Sequence, residues 1–468
     1  MPSIERIRMP ESLTRQFAAV LHEWPADDPL VIHAARLLIL DGLSIAFAGS
    51  RERGPTLLAA QAPRIPDESG VSLIGHRIKA TASVAARVNG TSMHVLDYEP
   101  MWSPSNHAVS TTLPALLAVA EELENAGAPP QGLRVARALA KGIEAQARLR
   151  VAANQPHVES LTFHPPGIVG PIESAIAVAD LLELDIDATT AAIGIAASCA
   201  GGLLANSGTM TKALHCGNAA MAGLEAASLA RAGFTADADV LGHRKGYANA
   251  YFGGGFDASA LTCPIDVPRI LKPGPAWKLF PSQYGTHFVI SAALACRVAL
   301  ASVDDIRRVT IRTPVYPYLD RPSPLNGLDG KFSFQYCAAV ALLDGQVSPA
   351  SFTDERRFEP RIEAMLERID IVVDPKLDAA FERMSVELTL QLNSGVEIVR
   401  VCDAPDGSWT RPVSPQRLEQ KARELTVDRL GPAAFERFWS MANNSASFSV
   451  TALMQLFAHA HSDDGQLS

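Results

Sequence analysis

The sequence predicts a mainly α protein with a smaller α+β domain, and three observations lead to this prediction. Between Leu13 and Phe256, Ala- and Leu-rich segments carry their apolar residues at helical spacing. After about residue 265, alternating runs rich in β-branched residues appear, which are typical of strands. Beyond about Ser414 the pattern is helical again. We therefore predict an all-α domain over 1–265, an α+β domain over 266–410, and C-terminal helices over 411–468 that return to the helical domain.

The individual elements follow from these patterns in chain order. Several helices of the first part are apolar nearly all round, which indicates burial against other helices. The clearest cover His33–Phe47, Thr111–Asn125, Gly132–Ala153, Ile172–Leu184, Ala188–Ala200 and Ala213–Ala232. In the second part, strands are predicted over 306–313, 369–374, 385–393 and 396–401, with a hairpin turn at Asn393-Ser394-Gly395 and helices at Val289–Ala301 and Phe334–Leu343.

Length, composition and charge limit the classes of function that the chain can have. A chain of 468 residues that is 47% hydrophobic has enough material for at least one large core. Its formal charge of -9 disfavours binding to nucleic acid or anionic lipid. An anionic substrate would therefore need a local cluster of Lys, Arg and His to reverse the sign of the field.

Targeting and redox signals are weak. No stretch approaches the roughly 20 uninterrupted apolar residues that span a bilayer. The segment from Met1 to Arg8 has no apolar signal-peptide core. The six cysteines stand singly without a C-x-x-C pair, which indicates reduced thiols rather than a zinc knuckle or a disulfide framework. We expect a soluble protein of the cytoplasm with no membrane partner.

Two segments of the helical part place ionisable residues beside breaks in the helices. In the first, a helix that carries His94 and Asp97 runs into a Pro-broken loop that ends at His107. Such loops often carry catalytic groups, although helix caps and turns explain Asp97 and His107 equally well. In the second, His164 precedes two prolines, which force an extended backbone at that histidine. Such rigidity suits a preorganised side chain, but a lone loop histidine is more often structural.

Two further segments suggest groups that bind an anion. Gly208 and Thr209 precede a helix whose first turns carry Lys212 and His215. Free N–H groups at a helix N-terminus, a hydroxyl and a lysine together suit a carboxylate, the alternative being a solvated lysine on a surface helix. Later segments supply three weaker candidates and one tyrosine: Lys278, Gln283, His287 and Tyr336.

Common catalytic motifs are missing from the sequence. It has no P-loop, serine-hydrolase elbow, H-E-x-x-H zinc motif or Rossmann fingerprint. The run Gly253-Gly254-Gly255-Phe256 lacks a preceding strand, so we interpret it as a turn.

Taken in order, these segments resemble the MmgE/PrpD family over nearly the whole chain. The most specific pieces are Asn89-Gly-Thr with His94 and Asp97-Tyr98, His164-Pro-Pro-Gly-Ile-Val-Gly-Pro, Gly208-Thr-Met-Thr-Lys212 with His215, Gly233-Phe-Thr-Ala, and Lys278-Leu-Phe-Pro with Gly285-Thr-His287. The resemblance implies an MmgE/PrpD-like two-domain fold: a large all-α domain built from both chain ends and a smaller α+β lid domain, usually in a homodimer. It also implies an enzyme that needs no cofactor or metal and removes a proton next to a carboxylate of a small polycarboxylic acid.

The resemblance also implies a set of site residues. Matched to the decarboxylase pattern of the family, the cleft would contain Asp97, His107, His164, Lys212, Lys278 and Tyr336. Substrate contacts are further expected from Thr209, His215, Gln283, Met101 and His287. Two departures stand out: Gln283 takes the place of a histidine, and Glu99-Pro100-Met101 replaces an acidic pair and a threonine. Both put the identity of the acid in question rather than the class of chemistry.

Roles for these residues follow from their chemistry. Lys212 and Lys278 would hold carboxylate oxygens. His107 or His164 would be the general base, with Asp97 fixing the tautomer or accepting a proton in its turn. Tyr336 would be a proton donor.

Four functions stay open at the level of sequence. The first choice is a hydro-lyase similar to 2-methylcitrate dehydratase, because dehydration is common in the family. A carboxy-lyase similar to cis-aconitate decarboxylase and an isomerase similar to iminodisuccinate epimerase share the same first requirements. The remote alternative is a helical scaffold without activity. An enzyme requires that the named residues converge on one cleft, whereas a scaffold lets them scatter.

Overall fold

The computed structural model describes residues 12–65, 69–130, 132–155, 161–443 and 449–458. The segment from Met1 to Arg8, which has no apolar signal-peptide core, lies outside these ranges. Within them the chain is mostly helical with a four-stranded and a two-stranded sheet, which confirms the predicted mainly α class.

The helical part contains eleven helices within the described residues, together with a short antiparallel pair of strands. They are α1 (Leu13–Glu23), α2 (Pro29–Gly49), α3 (Arg53–Gln61), β1 (Val71–Ser72), β2 (Lys79–Ala80), α4 (Ala82–His94), α5 (Ala108–Asn125), α6 (Gly132–Ala152), α7 (Pro165–Leu181), α8 (Ile186–Ser198), α9 (Met210–Arg231), α10 (Tyr247–Phe252) and α11 (Ser259–Thr262). Helices α4, α5, α7 and α9 pack against one another at the centre.

Helix α2 is the one described helix that is long and apolar enough to cross a membrane by length and composition. Most of it is buried against other helices of the chain. Its central carboxylate, Asp41, lies 2.8 Å from the ammonium of Lys421. Burial in a protein core therefore accounts for its apolar sequence.

The second part is α+β. It contains α12 (Thr286–Arg297), β3 (Ile306–Thr313), α13 (Gly327–Gly330), α14 (Phe334–Asp344), α15 (Asp354–Arg357), α16 (Pro360–Leu366), β4 (Ile369–Val373), β5 (Val386–Leu392) and β6 (Glu397–Cys402). The four strands form one sheet in the order β4-β3-β5-β6, in which only the β3–β4 pair is parallel. Helix α12 packs against β5 and β6 and, on its other side, against α14.

The described residues form two large hydrophobic cores and one small cluster around Ile45 and Tyr98. The larger core takes its buried residues from 17–270 and from 422–457, because α17 (Pro415–Leu430), α18 (Pro432–Asn443) and α19 (Val450–Ala458) pack back onto the helical part. The smaller core draws on 276–402. Met101, from the helical part, belongs to the smaller core, and its backbone pairs with that of Ala276. The loop after α4 thus connects the two parts.

Helix α7 begins earlier than the sequence pattern predicts. The prediction starts at Ile172, whereas the helix starts at Pro165 and contains Pro171. Proline is tolerated in the first turn, since those N–H groups have no partner within the helix. Pro171 leaves the carbonyl of Gly167 without its helical donor, and the N–H of Gly201 donates to that carbonyl at 2.9 Å. The bond to Gly201 explains why the helix continues through the proline.

Candidate active site

A polar cleft opens where the helical part meets the α+β part. About 450 Å³ of space free of protein atoms lies in it, including the open solvent at its mouth. Four regions contribute to it: the loop between α4 and α5, the region around the starts of α7 and α9, the segment before α12, and Tyr318 between β3 and α13. Its lining residues are Asp97, Met101, Ser105, Asn106, His107, Leu161, His164, Pro165, Pro166, Leu204, Lys212, Lys278, Gln283, Tyr284 and Tyr318.

Asp97 lies between two lysines at the base of the cleft. Lys212 donates to Asp97 Oδ2 at 2.8 Å, and Lys278 donates to Asp97 Oδ1 and, at 3.0 Å, to its backbone carbonyl. All three side chains are buried. Asp97 has a φ of 50°, a left-handed conformation that is strained for a non-glycine residue and recurs at functional sites. The alternative reading of Asp97 as a simple helix cap does not describe these contacts.

A close approach of two helices sets the position of Lys212. The Cα of Gly217 on α9 would lie only 3.0 Å from a side chain built on Gly90 of α4. A side chain on Gly217 would in turn come within 2.2 Å of the Arg87 carbonyl. Glycine at both positions therefore allows α4 and α9 to touch. Their contact holds His94, at the end of α4, against Lys212, at the start of α9, with a distance of 2.8 Å between His94 Nε2 and Lys212 Nζ.

Glu99 is the second buried carboxylate of the site. Its Oε1 forms a short hydrogen bond with His94 Nδ1 and accepts from the hydroxyl of Ser110 at 2.9 Å. The same oxygen lies 3.4 Å from His107 Nδ1. Because Nδ1 of His107 faces Glu99, Nε2 is the nitrogen of His107 that remains for a molecule in the cleft. His107 precedes α5 as its N-cap residue, yet its side chain makes no capping hydrogen bond.

His164 lies at the start of α7 with an extended backbone, as the two following prolines predict. Its N–H donates to the carbonyl of Gly202 at 2.9 Å, which fixes the backbone. The imidazole lines the cleft, and its Nδ1 lies 3.3 Å from Nδ1 of His215 on α9. One of these nitrogens must donate and the other accept. His215 therefore orients His164 and does not line the cleft itself.

The charge states of these groups follow from their surroundings. Burial would raise the pKa of Asp97, but Lys212 and Lys278 hold that pKa well below its usual range. Burial raises the pKa of Glu99 in the same way, but His94 and His107 lower it to about 2. Burial lowers the pKa of His107 and of His164 well below 6.5, so both imidazoles are neutral at physiological pH.

The pKa values of the two lysines, Lys212 and Lys278, shift in opposite directions. For Lys212, attraction to Asp97 outweighs burial and raises the pKa, so it stays an ammonium. For Lys278, burial outweighs Asp97 and Glu99 and lowers the pKa. A third lysine, Lys331, is buried nearby, where it donates to the Val95 carbonyl at 3.1 Å, and burial lowers its pKa to about 8. The raised pKa of Lys212 thus keeps at least one ammonium at the cleft, where it can bind an anionic ligand.

Part of the cleft lining is apolar. Met101 and two leucines, Leu161 and Leu204, line it. Gln283 accepts from the N–H of Gly285 through its side-chain oxygen, so its amide N–H₂ group is the part available to a ligand. The sequence departures at Met101 and Gln283 thus fall in the wall of the cleft, where they can affect which acid fits.

Four residues predicted from the sequence lie outside the lining. Tyr336 is buried in the smaller core, and its hydroxyl donates to the Ser351 carbonyl at 2.6 Å. His287 is buried between the rings of Phe280 and Tyr284. Thr209 caps α9 by accepting from the N–H of Thr211 at 3.3 Å. Together with His215, these side chains can act on the cleft only through neighbours.

The sequence reasoning missed several residues around the site. Tyr318, not Tyr336, presents a phenol to the cleft, where its hydroxyl donates to Ser207 at 2.7 Å. Nothing in the local sequence marks Tyr318, because its position depends on how the two parts pack. Glu99 was visible only as a departure from the family pattern.

The described residues contain one group of His and acidic side chains spaced closely enough for a metal ion. In it, His94, Glu99 and His107 offer atoms within 4.8 Å of one another. Here the Glu99 oxygen binds an imidazole N–H instead, and Lys212 lies at 2.8 Å from the same His94 ring. A cation placed among these groups would be repelled by the neighbouring ammoniums. The arrangement favours hydrogen bonding over metal binding.

Comparison with known proteins places this geometry in a family. The MmgE/PrpD N-terminal domain matches residues 15–259, and the MmgE/PrpD C-terminal domain matches 280–446. The chain is 32% identical to cis-aconitate decarboxylase of Homo sapiens over 428 residues, which cover 89% of this chain and 88% of the relative. It is 30% identical to the Mus musculus cis-aconitate decarboxylase over 440 residues, covering 89% and 87%. It is 22% identical to a probable 2-methylcitrate dehydratase of Saccharomyces cerevisiae over 484 aligned positions, covering 96% and 92%. The chain therefore belongs to the MmgE/PrpD family.

Proposed function

We propose that this protein is a cofactor-independent carboxy-lyase that acts on cis-aconitate or a closely similar unsaturated polycarboxylic acid. One observation carries the proposal: Lys212 and Lys278 share a single carboxylate, Asp97, beside two neutral imidazoles in a buried cleft. This combination offers both anion binding and proton transfer at one place.

The lysines have hydrogen atoms left for a substrate. An ammonium has three N–H donors. Lys212 uses two of them on His94 and Asp97, and Lys278 uses two on Asp97. Each lysine therefore keeps one donor for a substrate carboxylate. Charge-assisted bonds in a cleft with little water are strong, and they strengthen further as negative charge develops on the bound acid.

The proposed step balances without an added group. The bond between a CH₂ carbon and its carboxylate breaks, and CO₂ leaves. The electron pair forms a new double bond to the neighbouring carbon, while the old double bond shifts its pair to the far carbon. That carbon lies next to a second carboxylate, which Lys212 or Lys278 holds as the charge spreads onto it. A proton added at the far carbon completes the product.

His107 and His164 are the candidates for that proton transfer. Both are neutral in the free protein because burial lowers their pKa values. Binding of a polyanion raises the pKa of a nearby imidazole, so either ring can take up a proton and deliver it to the substrate. The relatives named as cis-aconitate decarboxylases, at 32% and 30% identity, support the choice of reaction.

A hydro-lyase acting on 2-methylcitrate is the second candidate. The same neutral imidazoles suit removal of a C–H proton, which is the first requirement of dehydration. A relative with the name of that activity matches nearly the whole chain, at the lower identity of 22%.

A panel assay in D₂O distinguishes the reactions. The purified protein would be incubated separately with cis-aconitate, 2-methylcitrate and the iminodisuccinate isomers, and CO₂ and the NMR spectra of the products would be followed. We expect one CO₂ per product from cis-aconitate, with one deuterium on the carbon beside the retained carboxylate. Water loss from 2-methylcitrate without CO₂ would replace the proposal with the hydro-lyase, and inversion of iminodisuccinate would replace it with an epimerase. Turnover of none of the acids would favour the scaffold.

A further inference from the structure

Glu99 lies next to two histidines, His94 and His107, although it does not line the cleft itself. Its Oε1 contacts Nδ1 of His94 and lies 3.4 Å from Nδ1 of His107. The side chain of Glu99 is fully buried, and Ser110 donates to it at 2.9 Å. A buried carboxylate in this position is held between two imidazoles of the site.

The protonation of Glu99 decides which nitrogens carry hydrogen. An ionised carboxylate only accepts hydrogen bonds, so the ring nitrogen that faces it must carry the proton. His94 is then protonated on Nδ1 and unprotonated on Nε2. This matches the other neighbour of the ring, since the Lys212 ammonium can only donate and lies 2.8 Å from Nε2. In the chain of contacts Glu99–His94–Lys212, the proton of a neutral His94 ring can therefore lie only on Nδ1.

Asp97 cannot perform the same task. Lys212 occupies one of its side-chain oxygens, and Lys278 occupies the other. The carboxylate of Asp97 accepts from the lysines, whereas the carboxylate of Glu99 faces the imidazoles. The sequence-based assignment of tautomer control to Asp97 thus passes to Glu99 on geometric grounds.

We infer that Glu99 is a positioning residue that fixes His94 and His107 as their Nδ1–H tautomers and, through His94, fixes the direction of the Lys212 ammonium. In this state Nε2 of His107 carries a lone pair toward the cleft, as proton transfer requires. The effect on turnover rests on the proposed function. The tautomers are a property of the ligand-free protein and can be measured without any substrate.

The test compares Glu99→Gln with a matched control. Glutamine has nearly the same shape but no charge, and its amide N–H₂ group can donate to His107 Nδ1 and thereby favour the opposite tautomer of that ring. The control is Glu121→Gln, since Glu121 is also a buried carboxylate, held by Ser72 and Lys79 away from the cleft. Protein labelled with ¹⁵N-histidine would be examined by NMR without ligand, with signals assigned from single His94→Gln and His107→Gln variants.

We expect Nδ1–H signals for His94 and His107 in the unchanged protein and in Glu121→Gln. In Glu99→Gln we expect loss of the His107 signal, whereas His94 keeps its signal because the Lys212 ammonium still donates to its Nε2. Glu99→Asp, which keeps the carboxylate, should retain the His94 signal and provides the reading if the glutamine variant does not fold. Unprotonated Nδ1 atoms in the unchanged protein would overturn the inference. So would a His107 tautomer that Glu99→Gln leaves as it is.

Measurement of turnover provides the second test. With an accepted substrate, Glu99→Gln should lower kcat by on the order of 10²-fold, Glu99→Asp should recover part of it, and Glu121→Gln should stay near the original value. Full turnover by Glu99→Gln despite altered tautomers would refute the link between positioning and catalysis. If no acid of the panel reacts, the proposed function fails, while the NMR result still decides the role of Glu99.

Discussion

Replacing Lys212 with Met is the most direct test of how the cleft binds an acid. Methionine keeps much of the length and apolar volume of the lysine stem but removes the ammonium. The variant loses the 2.8 Å contacts of Lys212 with Asp97 and with His94. Asp97 keeps Lys278 as a partner, so the carboxylate is not left alone in the protein interior.

The expected sizes follow from these contacts. Loss of one charge-assisted hydrogen bond to a substrate carboxylate costs about 1.5–3 kcal/mol, which weakens binding by roughly 10- to 150-fold. Removing one partner of a buried ion pair costs about 3–5 kcal/mol of folding stability when the other charge is left unpaired. Because Lys278 remains beside Asp97, we expect a loss of stability at or below the lower end of that range.

Calorimetry with the substrate or its product measures the dissociation constant, and urea unfolding measures stability. The matched control is Lys141→Met, since Lys141 is a buried lysine that pairs with Asp180 at 2.8 Å and lies outside the cleft lining. The control should lose stability but keep the dissociation constant. If Lys212→Met binds the acid as tightly as the unchanged protein, Lys212 does not hold the substrate, and the assignment of the anion site is wrong.

Three further predictions concern proton transfer and metals. His164→Gln should lower turnover by roughly 10²–10⁴-fold with little change in substrate dissociation; if turnover and deuterium incorporation stay complete, His107 takes the role of His164. Burial lowers the pKa values of His107 and His164 well below 6.5, and the proposed decarboxylation needs a protonated imidazole, which becomes more abundant as the pH falls, so kcat/KM should rise by up to about 10-fold from pH 7.5 to 6.5; a fall within that window would contradict an imidazole acid of lowered pKa. Because the neighbouring ammoniums disfavour a cation among His94, Glu99 and His107, activity should survive exhaustive chelation, with metal content followed by elemental analysis; loss of activity that a divalent metal restores would refute this prediction.

Regular elements were predictable from the sequence because apolar spacing reports which face of an element is buried. Strand β3 matches its predicted bounds, Ile306–Thr313, since alternation along a half-buried strand leaves little ambiguity. The start of α7 was not predictable from spacing, because prolines at its first positions usually mark a loop. The bond from Gly201 to the carbonyl that Pro171 leaves without a donor depends on tertiary structure that no local pattern contains.

The cleft was predictable in part for a related reason. Asp97, Lys212 and Lys278 stand in distinctive local patterns, and the structure brings them together. Tyr336 also stands in such a pattern, but its hydroxyl is used inside the smaller core. Tyr318 and Glu99 could not be assigned from sequence, since their contacts depend on the packing of separate elements.

The pairing of Asp41 with Lys421 has a consequence for when the site can form during synthesis of the chain. Lys421, on α17, also donates to the carbonyl of Tyr98 at 3.0 Å, next to Asp97 in the cleft loop. The ribosome delivers α2 and this loop early, whereas α17 emerges only after the entire α+β part. Until then neither Asp41 nor the Tyr98 carbonyl has the ammonium of Lys421 beside it. We therefore expect a nascent chain to leave the cleft loop unfinished, so that the site matures only when nearly the whole polypeptide has been released.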